Sequence, residues 1–337
     1  MADSESLSLS TAPADSLPGP TPPAPNTVFR GPNGIRAGWR VLIFLALVAG
    51  VTLALAVPFA VVIVLKGGGV PDGSGFQASS LTPLGVSLSE GLLFLCPAVA
   101  AFIMTLIEHR KFGQYGLPVR FAFGKDFWIG TVVGFLSISS CLLGIFAFHG
   151  FHLTGFAIHG KMIASATAAW GGTFVLVGLA EEFSFRGYLQ YTLTTGMGFW
   201  PTAILMSLLF GLAHGGNPGE SYFGLFNVVL FGLLFCLFLR RTGNLWWAVG
   251  FHTGWDWGQT FFYGVPDSGI APYHNLFNSS FSGPRWLTGG TVGPEASIFA
   301  PIVLVIVAFL FTRVYCEDNY QAGYVGPQTS ATHRAGQ

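Results

Sequence analysis

Apolar residues fall in about eight long runs separated by short polar stretches, most of them near the roughly 20 residues a helix needs to cross the hydrocarbon core of a bilayer. The runs lie near Gly38 to Leu65, Leu84 to Ile107, Phe127 to Phe148, Ile163 to Leu193, Phe199 to Ala213, Tyr222 to Leu239, Leu245 to Tyr263 and Ser297 to Tyr315. The pattern predicts an all-α fold, a polytopic transmembrane helix bundle of about eight spanning helices. The fifth run is short and several carry Gly or Pro, so seven is the alternative count. Ahead of the runs, residues 1–35 are rich in Ser, Pro, Ala and Thr, and lack both hydrophobic periodicity and the basic-then-apolar layout of a signal peptide. They read as a disordered cytosolic tail.

The remaining organisation follows the same punctuation. Residues 36–160 hold the N-terminal transmembrane helices, and 161–265 the helices that carry the unusual polar residues. Residues 266–296 form an external loop of turn-rich composition with no interpretable motif, 297–316 the last transmembrane helix, and 317–337 a cytosolic tail. Composition agrees: charged residues are 9% and apolar residues 51%, with a mean hydropathy of +0.59, whereas a soluble domain carries about a quarter charged residues. Fifteen basic and fifteen acidic side chains cancel, and with no basic cluster there is no case for a nucleic-acid partner. Cys96, Cys141, Cys236 and Cys316 lie in or at the end of apolar runs without metal-type spacing, so they read as small core residues.

Basic residues set the orientation. With the amino terminus inside, the cytosolic segments hold Arg30, Arg36, Arg40, Arg110, Lys111, Arg120, Lys125, Arg240, Arg241, Arg313 and Arg334, against only Lys66, Lys161 and Arg285 outside. Both termini are then cytosolic.

Against this apolar background the ionisable residues inside the runs stand out, because a charge in the membrane needs a functional or structural reason. Glu181, Glu182 and Arg186 share the fourth run; His214 closes the fifth; His252 and Asp256 lie one turn apart on the seventh. At about 1.5 Å of rise per residue, Glu181 and His214 lie roughly 20 Å from the cytosolic turns that flank them, and His252 and Asp256 roughly 12 and 18 Å from theirs. Three helices aim polar groups at one layer, which a shared hydrated cavity would solvate. Glu182 and Arg186 have the i, i+4 spacing of an ion pair, leaving Glu181, about 100° around the helix, as the free carboxylate suited to act as a general base. Asp256 could orient His252 or contact substrate. By itself, the Glu182–Arg186 pair reads as readily as a structural clamp, and a lone histidine beside Gly215 and Gly216 as a packing residue. His109, His149, His152, His159 and His274 are left in that class, and Glu90, near the outer end of its helix, is expected to reach water. Gly130 and Gly134 form a GxxxG pattern, weak evidence in a chain with 46 glycines.

The ordered set is more specific than its parts. Glu181-Glu182-Phe183-Ser184-Phe185-Arg186 reads EExxxR, Phe210-Gly211-Leu212-Ala213-His214 reads FxxxH, and His252-Thr253-Gly254-Trp255-Asp256 reads HxxxD. In this order, from about Lys161 to Tyr263, they resemble the CAAX protease and bacteriocin-processing (CPBP, Abi) family of intramembrane endopeptidases. The third motif ends in Asp256 where the prenyl-protein endopeptidases of the family have Asn, so an oxyanion-hole role for this carboxylate is doubtful. The resemblance implies peptide-bond hydrolysis, with Glu181 and His214 activating water, and His252, held by Asp256, stabilising the oxyanion or protonating the leaving amine. Glu182, Arg186 and Phe210 give structural and electrostatic support. No cofactor is favoured, and the alternative is a zinc ion held by Glu181, His214 and His252. The expected partners are membrane lipid and a peptide or membrane-protein substrate, and the expected location is a bacterial plasma membrane. The competing reading is a non-enzymatic immunity factor, scaffold or transporter that binds through the same cavity.

Overall fold

A computed structural model describes residues 27–31, 34–65, 82–271 and 273–322. Most of the expected amino-terminal tail, the end of the carboxyl-terminal tail, Lys66, Pro272 and Arg334 lie outside the described residues. Residues 27–36 form a unit of their own, in which β1 (Arg30–Gly31) pairs antiparallel with β2 (Gly34–Ile35) and the Arg36 guanidinium donates to the Thr27 carbonyl at 3.0 Å.

From Ala37 onward the chain is a helical bundle. The helices are α1 (Ala37–Leu65), α2 (Pro83–Glu108), α3 (Lys125–Ala147), α4 (Lys161–Arg186), α5 (Tyr188–Met197), α6 (Phe199–Ala213), α7 (Tyr222–Thr242), α8 (Trp246–Asp256), the one-turn α9 (Arg285–Thr288) and α10 (Phe299–Val314). Six helical stretches among the described residues are long and apolar enough to cross a membrane. The last two expected spans are shorter: α10 has 16 residues, and α8 has 11 and runs on into a π-helical turn at Trp257–Phe262. The outward faces are apolar. Leu84, Leu88, Leu92, Phe102 and Leu106 on α2 and Trp128, Val132, Leu136 and Leu143 on α3 are exposed. A surface this rich in exposed leucine and aromatic residues suits acyl chains rather than water.

Two departures from the expected elements have local causes. The fourth run breaks at Gly187, where a Cβ would stand 2.4 Å from the Phe183 carbonyl oxygen; α5 leaves α4 there. The all-α expectation also meets a short ribbon, in which β3 (Phe151–Phe156) pairs antiparallel with β4 (Phe277–Phe281). The segment read as a plain external loop is therefore tied to the α3–α4 connection.

The packing that places the site runs through α8. Its Gly250 and Gly254 face Gly130 and Gly134 of α3 so closely that a Cβ at Gly254 would lie 1.9 Å from the Thr131 carbonyl oxygen, and one at Gly134 2.0 Å from that of Phe251. The spacing that counted as weak evidence in the sequence marks a backbone-to-backbone crossing. Phe231, Phe235, Phe238, Trp247, Phe251 and Phe311 pack around it in one apolar core shared by α3, α7, α8 and α10. A second core joins α1, α2 and α5 through Phe44, Met104, Tyr188 and Tyr191. Against the other side of α8, Gly178 of α4 lets the helices meet, its missing Cβ being 3.4 Å from the His252 Cβ.

Candidate active site

Residues two apart on a helix point about 200° from each other, so the face of α8 opposite Gly250 and Gly254 presents His252 and Asp256. They open onto a cavity of about 170 Å³, also lined by Glu181 of α4, Phe210 of α6 and His214 just after it, Phe231 and Phe235 of α7, and Glu90 of α2. That volume holds several waters. The expected convergence of α4, α6 and α8 is thus present in the structure.

Glu181 Oε2 lies 3.9 Å from His214 Nε2 and 3.6 Å from His252 Nε2, and it has no hydrogen-bond partner among the described residues. His214 Nδ1 is 2.9 Å from the Phe210 carbonyl oxygen. A carbonyl can only accept, so Nδ1 carries a proton, and Nε2 is the nitrogen that faces Glu181. Two acceptors that each take a hydrogen from one water, at about 2.8 Å from its oxygen, stand roughly 4.5 Å apart, and the 3.9 Å Glu181–His214 gap is somewhat shorter than that span. Phe210 explains its own place in the second motif: its ring packs edge-on against His214 with centroids 4.6 Å apart and faces the Arg186 guanidinium at 4.2 Å.

The second histidine is held differently from expectation. His252 Nδ1 is 3.1 Å from Glu182 Oε1, a hydrogen bond, whereas its Nε2 is 3.5 Å from Asp256 Oδ2, an ion-pair separation without one. Glu182 therefore fixes the ring, and Asp256 flanks Nε2 from the cavity side. Glu182 and Arg186 are both fully buried, with Arg186 Nη1 3.6 Å from the same Glu182 oxygen that meets His252. The pair makes the i, i+4 contact its spacing suggests, and the same carboxylate oxygen meets the imidazole. Phe235 stacks on the His252 ring at 5.3 Å.

Three acidic residues in the wall fall outside the three motifs. Glu90 lines the cavity instead of reaching out to bulk water, and its Oε2 has no partner. Its signal was a lone acid in an apolar run. Asp267 and Glu295 come from the loop segment and line the cavity beyond Asp256. Asp267 accepts from the Thr260 hydroxyl at 2.9 Å, and Glu295 accepts from the Ser268 amide at 2.6 Å and from the Gln259 side chain on the π-helical turn. Desolvation in the wall pushes the Asp267 carboxyl up to about 6 in spite of the Thr260 hydrogen bond. Burial, and then the neighbouring Asp267, hold Glu295 well above the ordinary carboxylate range. No sequence period marks either residue.

The five histidines left as packing residues stay out of the cavity lining, and His152 meets Ser282 on the ribbon at 2.9 Å. The four cysteines are free thiols, with only Cys316 exposed. No group of three His, Cys, Asp or Glu donors among the described residues is arranged to hold a metal ion; Glu181, His214 and His252 approach one another without forming such a set.

Fold and site together define a polytopic helical membrane protein with titratable groups gathered in a cavity between its helices. Residues 163–258 match the model of a family described as Type II CAAX prenyl endopeptidase Rce1-like. The matched segment contains all three motifs, from Glu181 to Asp256, and bears out the resemblance to CAAX proteases. No curated protein matches the chain.

Proposed function

We propose that the protein is an intramembrane endopeptidase that hydrolyses a peptide bond in a membrane-associated peptide or protein. The observation that carries this reading is the placement of one unpartnered Glu181 oxygen within 4 Å of Nε2 on both His214 and His252, inside the cavity. Glu181 takes a proton from a water that also hydrogen-bonds His214, and the hydroxide so formed attacks the scissile carbonyl. His252, fixed through Nδ1 by Glu182, faces the reacting centre with Nε2 and supplies a hydrogen bond to the oxyanion or a proton to the departing amine. Asp256 stands 3.5 Å from that nitrogen, and its carboxylate disfavours direct contact with an oxyanion.

Water activation by Glu181 and His214 without a metal is the mechanism we propose, and the alternative is a zinc ion held by Glu181, His214 and His252. Metal analysis of purified protein, with turnover before and after chelation, tests this; activity that survives chelation of metal-free protein is expected, and stoichiometric zinc whose removal abolishes turnover would overturn it. The candidate substrates are a prenylated CAAX protein, a peptide precursor, a bacteriocin leader and a membrane-protein segment, in a bacterial plasma membrane, and the bias of the basic residues favours cytosolic termini. Comparing membrane-derived peptides from cells that produce the wild type or Glu181→Gln tests the function. New carboxyl termini should disappear in the variant, and an unchanged peptide set would favour a binding protein that uses the same cavity.

A further inference from the structure

Behind His252, on the side away from the cavity, a second polar system runs through the bundle. Glu182, Arg186, Gln190 and Thr194 follow one another at four-residue spacing along α4 and α5, covering about 18 Å at the helical rise. Glu182, Arg186 and Gln190 are buried. Among the described residues, over half of the buried side-chain polar atoms that make no hydrogen bond to the protein belong to this stripe or its neighbours: Glu182 Oε2, the three Arg186 guanidinium nitrogens, of which Nη1 keeps only its 3.6 Å ion-pair separation from Glu182, both amide atoms of Gln190, and the Thr194, Ser207 and Tyr320 hydroxyls. Ser207 of α6 and Cys236 of α7 flank Arg186. Gly232 of α7 lets its backbone pack directly against Arg186 and Ser207, since a Cβ there would stand 2.8 Å from Arg186 Nη2 and from Ser207 Cβ.

Buried polar groups are very rarely left unpaired, and a continuous line of them has one general remedy, a file of ordered water. The line has a defined beginning and end. At one end His252 bridges the two systems, with Nδ1 on Glu182 and Nε2 in the cavity. At the other, Thr194 faces the Tyr320 hydroxyl, and the Tyr320 amide is fixed to the Arg240 carbonyl at 3.0 Å. That end carries Arg240 and Arg241, paired with Asp318. The geometry points to a hydrated path from the basic end of the bundle to the back of His252, separate from the cavity, through which water reaches the Glu182–His252 pair and exchanges its protons. An imidazole with one nitrogen on each side is the natural relay between the two compartments. The path does not depend on the protein being a protease.

Cys236 and Cys141 provide a matched pair for the test, both fully buried, one beside the stripe and one in the apolar core of α3. Radiolytic hydroxyl-radical labelling of the full-length protein in nanodiscs, in ¹⁸O-enriched water, oxidises side chains that touch bound water. The expected result is ¹⁸O incorporation at Cys236 and Tyr320 with Cys141 protected, and loss of the Cys236 label in Gln190→Leu and its reduction in the milder Ser207→Ala, each checked for a cooperative unfolding transition. Equal protection of Cys236 and Cys141 would overturn the path, as would Cys236 labelling that persists undiminished in both variants.

Discussion

The two faces of α8 follow opposite rules. Toward α3 the helix offers Gly250 and Gly254, and backbone meets backbone with no room for a single methyl group. Toward α4 and α6 it offers His252 and Asp256, set in a cavity large enough for water and lined by carboxylates from four separate segments. The dry face gives the wet face its precision. An imidazole can be kept at its 3.1 Å hydrogen-bond distance from Glu182 only if its helix cannot slide, and the glycine crossing removes that freedom. In a bilayer, where apolar burial drives helix association weakly, such close packing is what fixes a helix in place.

The comparison can be broken from either side. The largest effect belongs to the wet face: His214→Gln should lower turnover by about 10²–10⁴-fold, the contribution of a positioned proton-transfer group, while thermal unfolding stays close to wild type. Next come Glu182→Gln and Arg186→Gln, each of which leaves a buried charge unpaired. Each should cost about 3–5 kcal/mol in denaturant unfolding, and the double replacement should recover part of the loss. On the dry face, Gly254→Val should destabilise by about 1–3 kcal/mol or more and lower activity without touching a polar group. Retained activity with a wild-type unfolding transition would uncouple the two faces. The smallest effect concerns Asp267. Its carboxyl is raised from 3.8 to about 6 by desolvation, so between those values the folded protein holds a proton that the unfolded chain has released. Stability should fall as the pH rises from about 4 to about 6 and level off above. Asp267→Asn should flatten part of that slope in unfolding scans, and an unchanged slope would show that the carboxyl is solvated.

How far the chain could be read follows the same division. Helix positions were legible because a lipid-facing span must be apolar over its whole length; Phe199–Ala213 matches its expected limits, and most other ends differ by a few residues. The convergence of Glu181, His214 and His252 was legible because ionisable groups are costly in such spans and were confined to one layer. Glu182 as the partner that fixes His252 was not, since its i, i+4 spacing pointed only to Arg186, and contacts between helices leave no periodic trace. Asp267 and Glu295 were hidden for a different reason: they sit in an irregular segment that folds back beside the cavity, and turn-rich composition does not reveal which side chains point inward. The glycine crossing was visible as a pattern, but its partner helix was not.

The most direct test is turnover of a membrane-peptide substrate by purified protein in ¹⁸O-enriched water, for the wild type and for folded Glu181→Gln. One ¹⁸O atom in the newly formed carboxyl terminus of the wild-type product, with product formation lost in the variant, is the expected result. Equal rates of labelled product from both proteins would contradict the role of Glu181 as the base.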